Sequence, residues 1–360
     1  MKRTLLVIMI LLAASGLLFA ETLTGLVAKD AKTMGMGGAS KVFADRYQAL
    51  WGNPAALASA KGSLTFADVS AWLYIKPTLS KIEDVQTLMA DGTSDEDRIS
   101  LINQFQAENN GLGGGTAVGL GWAGKGFGLG MNIVADTYTE GLKLKLMTQL
   151  NGVVGLAFPF HLGPVTIKAG LDGRIFFRTD SDGLWPLMSM SDNPNVINGT
   201  GLAADVGAIV ELGPFMVGAS VRDLGMEFDM GKGTLEQVGN MDLPLPNPTA
   251  YTLQPQVYAG AGVKLGGRLL ATSVFAEVSD ALAVFEDNDV LWTNLHAGAE
   301  VKLLSMLSVR GGLNQGYVSL GAGLDFLFLH ADVAMFTEEI GLYAGHRPRS
   351  GIAVQAAVRF

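Results

Sequence analysis

The chain has 360 residues, no cysteine, 47 glycines and only 16% charged residues, with a formal net charge of -9 and a mean hydropathy of +0.31. The negative balance, with no cluster of Lys and Arg set against it, argues against a nucleic-acid partner, and the lack of thiols excludes thiolate metal sites. Past the first twenty residues no apolar run reaches the roughly 18 residues that mark a helical membrane span, so the apolar residues are dispersed by alternation, as in a membrane β-barrel.

The chain opens on Lys2-Arg3, an apolar run from Leu5 to Phe19, and Ala20-Glu21. This is the order of a signal peptide over residues 1–20, removed on export. A retained membrane anchor is the alternative, but about fifteen apolar residues are short for a span. From 21 to 60 the pattern is neither strand nor long helix. It carries Gly35, Gly37 and Gly38 in Met34–Ser40, then Ala44-Asp45, then Trp51-Gly52-Asn53-Pro54-Ala55-Ala56-Leu57. Glycines so spaced let backbone pass close to backbone. No Lys-Ser/Thr follows them and no strand–helix unit flanks them, so a phosphate-cradling loop is not the reading. A compact plug fitted inside a larger body is.

Gly37–Ser40, Ala44-Asp45 and Trp51–Leu57 together resemble the N-terminal hatch segment of FadL-like outer-membrane proteins, a superfamily of long-chain fatty-acid transporters and PorV-type relatives. The stretch from Thr337 to Pro348 is similar to the penultimate-loop pattern of that group, and the middle of the chain matches only in pattern. The resemblance implies an all-β fold: a transmembrane antiparallel β-barrel of about fourteen strands. It also implies an N-terminal plug and a role in passing hydrophobic compounds.

The residues after 60 give the same count from alternation alone. Strands are expected at 64–74, 115–123, 126–138, 142–160, 165–179, 201–212, 215–223, 252–265, 268–279, 291–303, 307–313, 317–328, 329–339 and 351–360. The barrel thus fills 61–360, with 75–114 as an inserted loop at its outer end. In 165–179, Val165, Ile167, Ala169, Leu171, Ile175 and Phe177 face lipid, while Asp172, Arg174 and Arg178 face inward. By the same alternation Lys143, Lys145, His296, Glu300 and Lys302 are lumen residues, paired with one another or with the plug because an unpaired buried charge is costly. A soluble β-sandwich also alternates, but the signal peptide and the even strand number favour the barrel. The connections agree: every second one is short, as periplasmic turns are, and the long ones share the other side. The last strand alternates Ile352, Val354, Ala356 and Val358 against Ala353, Gln355, Ala357 and Arg359, and ends on Phe360. It must close on the first strand, and it is the segment the barrel-assembly machinery would engage.

Two short amphipathic helices are expected in the first long loop, starting near Ser80 and near Thr93. The loop 180–200 holds Trp185, Met188 and Met190, either a contact surface for ligand or part of an interfacial aromatic girdle. The loop 224–251, with Pro244, Pro246 and Pro248, is expected to be a stiff excursion across the mouth without strand pairing. Four scattered His residues make no metal site, and no nucleophile-elbow motif is present. The expectation is therefore a non-enzymatic, monomeric outer-membrane barrel in contact with lipid, without cofactor or metal, passing or binding hydrophobic or amphipathic small molecules. A PorV-type role holding a surface or secreted partner is the alternative, and an open porin is opposed by the plug.

Overall fold

The computed structural model describes residues 21–39, 41–59, 61–183, 185–186, 193–267 and 269–360. The expected signal peptide, Met188 and Met190 lie outside the described residues. Of 18 strands in one sheet, four short ones (Glu21–Leu23, Trp185–Pro186, Phe228–Thr234 and Thr249–Leu253) branch from the main ring, which leaves fourteen. We number these β1 (Ser63–Tyr74), β2 (Gly113–Gly124), β3 (Phe127–Glu140), β4 (Lys143–Leu162), β5 (Val165–Ser181), β6 (Asn195–Leu212) and β7 (Phe215–Gly225). They continue as β8 (Gln256–Gly266), β9 (Leu270–Val278), β10 (Leu295–Leu303), β11 (Leu307–Asn314), β12 (Tyr317–Phe326), β13 (Leu329–Glu339) and β14 (Pro348–Arg359).

Each pairs antiparallel with its chain neighbour, and β14 closes on β1, with Ile352 opposite Leu73 and Arg359 opposite Thr65. Leu64 and Phe360 exchange both backbone hydrogen bonds, at 2.9 and 2.8 Å, and the Phe360 ring stacks on Phe328. Closure leaves the ring without an unpaired edge, which a sheet in hydrocarbon requires. All fourteen strands read from alternation are present.

The period-2 pattern sorts the two faces as hydropathy demands. Along β5, Leu171 and Ile175 stand outside at 56% and 54% exposure, while Asp172 and Arg174 lie inside at 2% and 5%. The exterior continues with Leu129, Met131, Ile133, Val154, Phe158, Leu202, Val217, Val309, Leu320, Val333 and Val354, all exposed. This is the inverse of a soluble protein and the surface a lipid-facing barrel presents.

One end of the barrel carries only tight turns, such as Lys125–Gly126 and Leu304–Met306; the other carries the long connections. There α1 (Leu79–Met89) and α2 (Asp95–Asn109) form the expected helical pair. The first starts at Thr78 without a side-chain cap. The second is capped by Ser94, whose hydroxyl accepts from Asp97 N at 3.1 Å. Helix α2 docks by burying Ile102 and Phe105, and Asn109 and Asn110 donate to the carbonyls of Ser350 and Pro348.

Two expectations are corrected. The segment 224–251 does contain strand pairing: Phe228–Thr234 pairs with the outer part of β6 and with Thr249–Leu253. The prolines sit between those strands, where no ladder donor is lost. Residues Leu291–Asn294, expected to begin a strand, form a helical turn, and β10 begins at Leu295.

Leu171→Arg tests the exterior. In a bilayer it is expected to lower the unfolding free energy by ~2–4 kcal/mol, measured by chemical denaturation. A loss as small as that of Leu171→Ala would mean that this face does not meet hydrocarbon.

Candidate functional site

Residues 24–39 and 41–59 pack against inward-facing positions of the ring, and the wall is recessed to receive them. A Cβ on Gly207 would strike the Asn53 side chain, on Gly119 the Tyr47 hydroxyl, on Gly170 the Pro54 backbone, on Gly298 the Met36 carbonyl, and on Gly312 the Gly37 backbone. These wall glycines all face inward. Their missing side chains make the space that the inner segment fills, so two backbones approach as closely as glycine permits. Gly37 and Gly38 adopt φ of 69° and 78°, a left-handed turn that carries the chain past β10 and β11.

Specific hydrogen bonds then fix the segment. Asn53 accepts from Ala55 N at 3.0 Å, capping the short helix Pro54–Ala58. Its amide donates to the wall carbonyls of Ala208 and Ala219 at 3.4 and 3.2 Å. The Glu277 carboxylate accepts from the backbone N–H groups of Lys41 and Val42 at 2.9 and 3.1 Å. His296 Nδ1 faces Gly37 O at 3.0 Å and its Nε2 faces Ser279 Oγ at 3.1 Å. Arg222 donates to Trp51 O, and Arg178 to Thr24 O at 2.6 Å. Gly35 lies against Gly321. Asp45 pairs with Lys32 at 2.9 Å, and that ammonium holds its carboxyl well below the usual range.

Of the predicted lumen charges, Arg174, Glu300 and Lys302 form ion pairs and His296 bonds to the inner segment, whereas both carboxylate oxygens of buried Asp172 have no hydrogen-bond partner among the described residues. Arg174 pairs with Asp205 and Asp223, and Arg222 with Asp205 at 3.2 Å. Asp223 occupies a bulge with φ of 59°, from which its N–H donates to Asp205 at 2.8 Å. Glu300 accepts from Arg310 at 2.6 Å, Arg310 also reaches Asp332, and Lys302 pairs with Asp325. Asp172 lies opposite Asp205 in the register. Lys143 and Lys145 depart from expectation. They lie at the outer rim, opposite Glu140 and Tyr138; Lys143 is exposed, and neither forms an ion pair among the described residues. The first residues of β4 lie at the rim, so alternation there no longer means enclosure.

Two apolar clusters line the outer half of the bore among its polar residues. Phe176, Ile197 and Ala203 of the wall meet Phe228, Met230, Tyr251 and Leu253 of the branching strands, with Leu23 packed against them. Phe176 and Phe228 form an edge contact at 5.1 Å. A second cluster gathers Trp72, Tyr74, Val134 and Phe336, with Leu26, Ala28 and Met34 packed on it. The extended residues from Leu23 to Ala28 thus lie along a track of aromatic and aliphatic side chains. Sequence reading missed this track: an aromatic at an inward position, such as Phe176, breaks the alternation and reads as noise. Of the proposed contact residues, only the Trp185 backbone is described, in a two-residue strand pairing with Lys143 and Leu144.

Deeper in, a polar cavity of about 50 Å³ is lined by Asp30, Lys41, Asp68, Asn132, Asn151 and Arg174, among others. Its size suits a few waters and falls far below the roughly 300 Å³ of a small-molecule pocket. Lys41 has no ion-pair partner among the described residues, and burial, aided by the Arg222 charge, pushes its ammonium down to about 8.

Neither a protein-family model nor a curated protein matches the chain. Among solved structures it is similar to a deletion mutant of the monoaromatic hydrocarbon channel TodX, at 11% identity and a TM-score of 0.48, covering 92% of this chain and 98% of that one. It is also similar to the Pseudomonas putida toluene transporter TodX (10%, TM-score 0.46, covering 95% and 99%) and the Ralstonia pickettii toluene transporter TbuX (12%, 0.46, covering 92% and 97%). The fold rests on the strand register described above.

Asn53→Ala removes a cap and two anchors at once and is expected to cost about 2 kcal/mol. Proteolysis within residues 24–59 should quicken in parallel; unchanged resistance would mean that Asn53 does not hold the segment. Lys41→Met is expected to stabilise at pH 7 by on the order of 2 kcal/mol. The sign follows from proton counts. Between pH about 8 and 10.5 the unfolded chain binds the Lys41 proton and the folded one does not, so wild-type stability rises with pH there. The advantage of the variant should shrink across that window, and a loss of stability at pH 7 would contradict it.

Proposed function

We propose that the protein is an outer-membrane barrel that binds and passes hydrophobic or amphipathic small molecules, with residues 24–59 as its hatch. In this reading residues 1–20 are removed on export, the long loops face the exterior, and the barrel acts as a monomer in contact with lipid. The assembly machinery engages the C-terminal strand at Phe360. The observation that carries the transport reading is the apolar track, occupied by the chain's own Leu23–Ala28 stretch. An extended peptide with small apolar side chains fills the same space, with the same chemistry, as a hydrocarbon tail. Exposed apolar residues on the long loops, Leu79, Met241, Phe285, Trp292 and Leu342 among them, offer a landing surface above it. Trp185, Met188 and Met190 serve as further contacts at the mouth.

The same apolar loops favour a second reading, a binding platform for a surface or secreted protein, as in PorV-type relatives. Burying a loop aromatic in a partner and burying it against a ligand involve the same driving force. The track separates the two readings, because a platform has no use for a lined bore.

A fluorescent fatty acid titrated onto purified protein is expected to bind saturably, and Phe228→Ala to weaken it about tenfold, the equivalent of ~1.4 kcal/mol of lost contact. Non-saturable binding, or identical binding by the variant, would overturn the reading. Co-purification of a stoichiometric surface protein in its place would favour the platform.

A further inference from the structure

Where β1, β3, β13 and β14 reach the long-loop end, three aromatic rings and the Glu338 carboxylate meet two cations, with Trp72 and Asp136 bonded behind the Tyr74 ring. Lys29, from the inner segment, pairs with Glu338. Its Nζ lies 5.7 Å from the Tyr74 ring centroid and 6.0 Å from that of Phe336. Arg349 stacks on Tyr74 at 3.8 Å and approaches Tyr138 at 5.1 Å, while donating twice to Glu338, at 3.1 and 2.7 Å. Asp136 accepts from Trp72 Nε1 at 2.9 Å and from the Tyr74 hydroxyl at 2.9 and 3.0 Å. Those bonds lock the orientation of Trp72 and the Tyr74 ring. Aromatic faces around one cation, backed by a carboxylate, are how proteins recognise ammonium groups.

The charges decide what belongs there. Lys29 and Arg349 balance Glu338 and Asp136. All the wall members are fixed by strands; Lys29 alone comes from the inner segment. If that segment withdraws, the wall is left with one cation against two acids, in aromatic surroundings of low polarity. Withdrawal admits water to the acids, and a cation with apolar substituents can displace that water while restoring the charge balance. We propose that this cage is a binding site for an organic ammonium group, and that Lys29 is its internal surrogate, holding the site closed until an ammonium-bearing molecule displaces it. The Leu23–Ala28 track runs directly into Lys29, so a molecule with an apolar tail and an ammonium head matches the stretch it would replace. The inference rests on the reading that the bore admits amphipaths and adds the headgroup chemistry.

The test compares three probes of similar size in a neutral maltoside detergent: butyltrimethylammonium, hexanoate and hexanol. Isothermal titration is run on wild type, Lys29→Ala and Lys29→Ala/Phe336→Leu, each shown by its circular dichroism melt to be folded. Lys29→Ala is expected to bind the ammonium about tenfold tighter than wild type does, and about tenfold tighter than it binds hexanol; the double variant should lose that preference. If Lys29→Ala does not fold, Lys29→Gln serves with the same expectation. In wild type the ammonium, and not hexanol, should also speed acylation of the Lys29 amine, read by mass spectrometry. Equal or tighter binding of hexanol or hexanoate by the folded variant overturns the cage while leaving amphipath passage standing. Binding of none of the three overturns both, and binding of the ammonium alone upholds the cage and restricts the bore to cationic amphipaths.

Discussion

A ring of fourteen strands encloses more space than its own inward side chains can occupy, unlike a barrel of about eight strands, whose residues meet across the axis. How that space is filled governs everything else in this protein. The chain fills it with residues 24–59 and removes side chains from the wall where the segment passes. The glycines at 119, 170, 207, 298 and 312 weaken strands intrinsically. They are tolerated because each keeps a ladder partner on both neighbouring strands and because the segment restores the missing contacts. Wall and filling are therefore one packing unit. Neither is well packed without the other.

The electrostatics follow from the same constraint. Residues facing the bore are polar, yet the segment excludes most of the water that would solvate them. Arg174, Asp205, Arg222 and Asp223 answer by forming one continuous network, which the Asp223 bulge ties to the backbone and Arg222 extends to Trp51 of the segment. Such pairs are weak evidence of net stability, since desolvation offsets most of the attraction. Their effect is on register. A one-residue slip of β6 against β7 would send Asp205 to the lipid face, leave the buried Arg222 guanidinium without its carboxylate and leave Arg174 with Asp223 alone. Specificity of this kind matters in a long barrel, where successive strands offer many near-equivalent registers.

The course of the fold was legible because lipid outside and charge inside impose opposite preferences on alternate residues. The fourteen strands of the ring were recoverable from that signal, and β14 shows it most cleanly, with Val354 outside and Gln355 inside. Legibility fails where the two environments stop differing. Beyond the hydrocarbon, Lys143 and Lys145 keep the inward parity but face the rim. Phe228 and Met230 alternate like a strand but lie among Gly and Pro, and their pairing with β6 depends on β7 having turned away. The wall glycines are the clearest case of hidden information. Their positions are set by the shape of a segment more than a hundred residues away in the chain for Gly170 and Gly207, and no local pattern encodes it.

The inner segment does not grip its surroundings evenly. From Lys41 to Ala58 it is held by directional bonds to rigid wall positions: the Glu277 carboxylate, the Ala208 and Ala219 carbonyls, and Arg222. From Leu23 to Ala28 the contacts are mixed: Leu26 and Ala28 pack on apolar side chains, while Leu23 joins a parallel ladder with Thr249–Leu253 and Arg178 donates to Thr24 O. Exchange of that stretch would strand fewer directional bonds than exchange of the 41–58 region, which would strand several buried donors and acceptors. Any opening of this barrel is therefore expected to begin at its long-loop end and to leave the Asn53–Pro54 region in place. The boundary between the mobile and fixed parts falls near Lys29 and Asp30, where apolar track gives way to charge and where α-helical structure (Ala31–Gly35) begins under the Asp30 cap. A filling built in this way is anchored by many directional bonds at one end and by fewer at the other, within one continuous peptide.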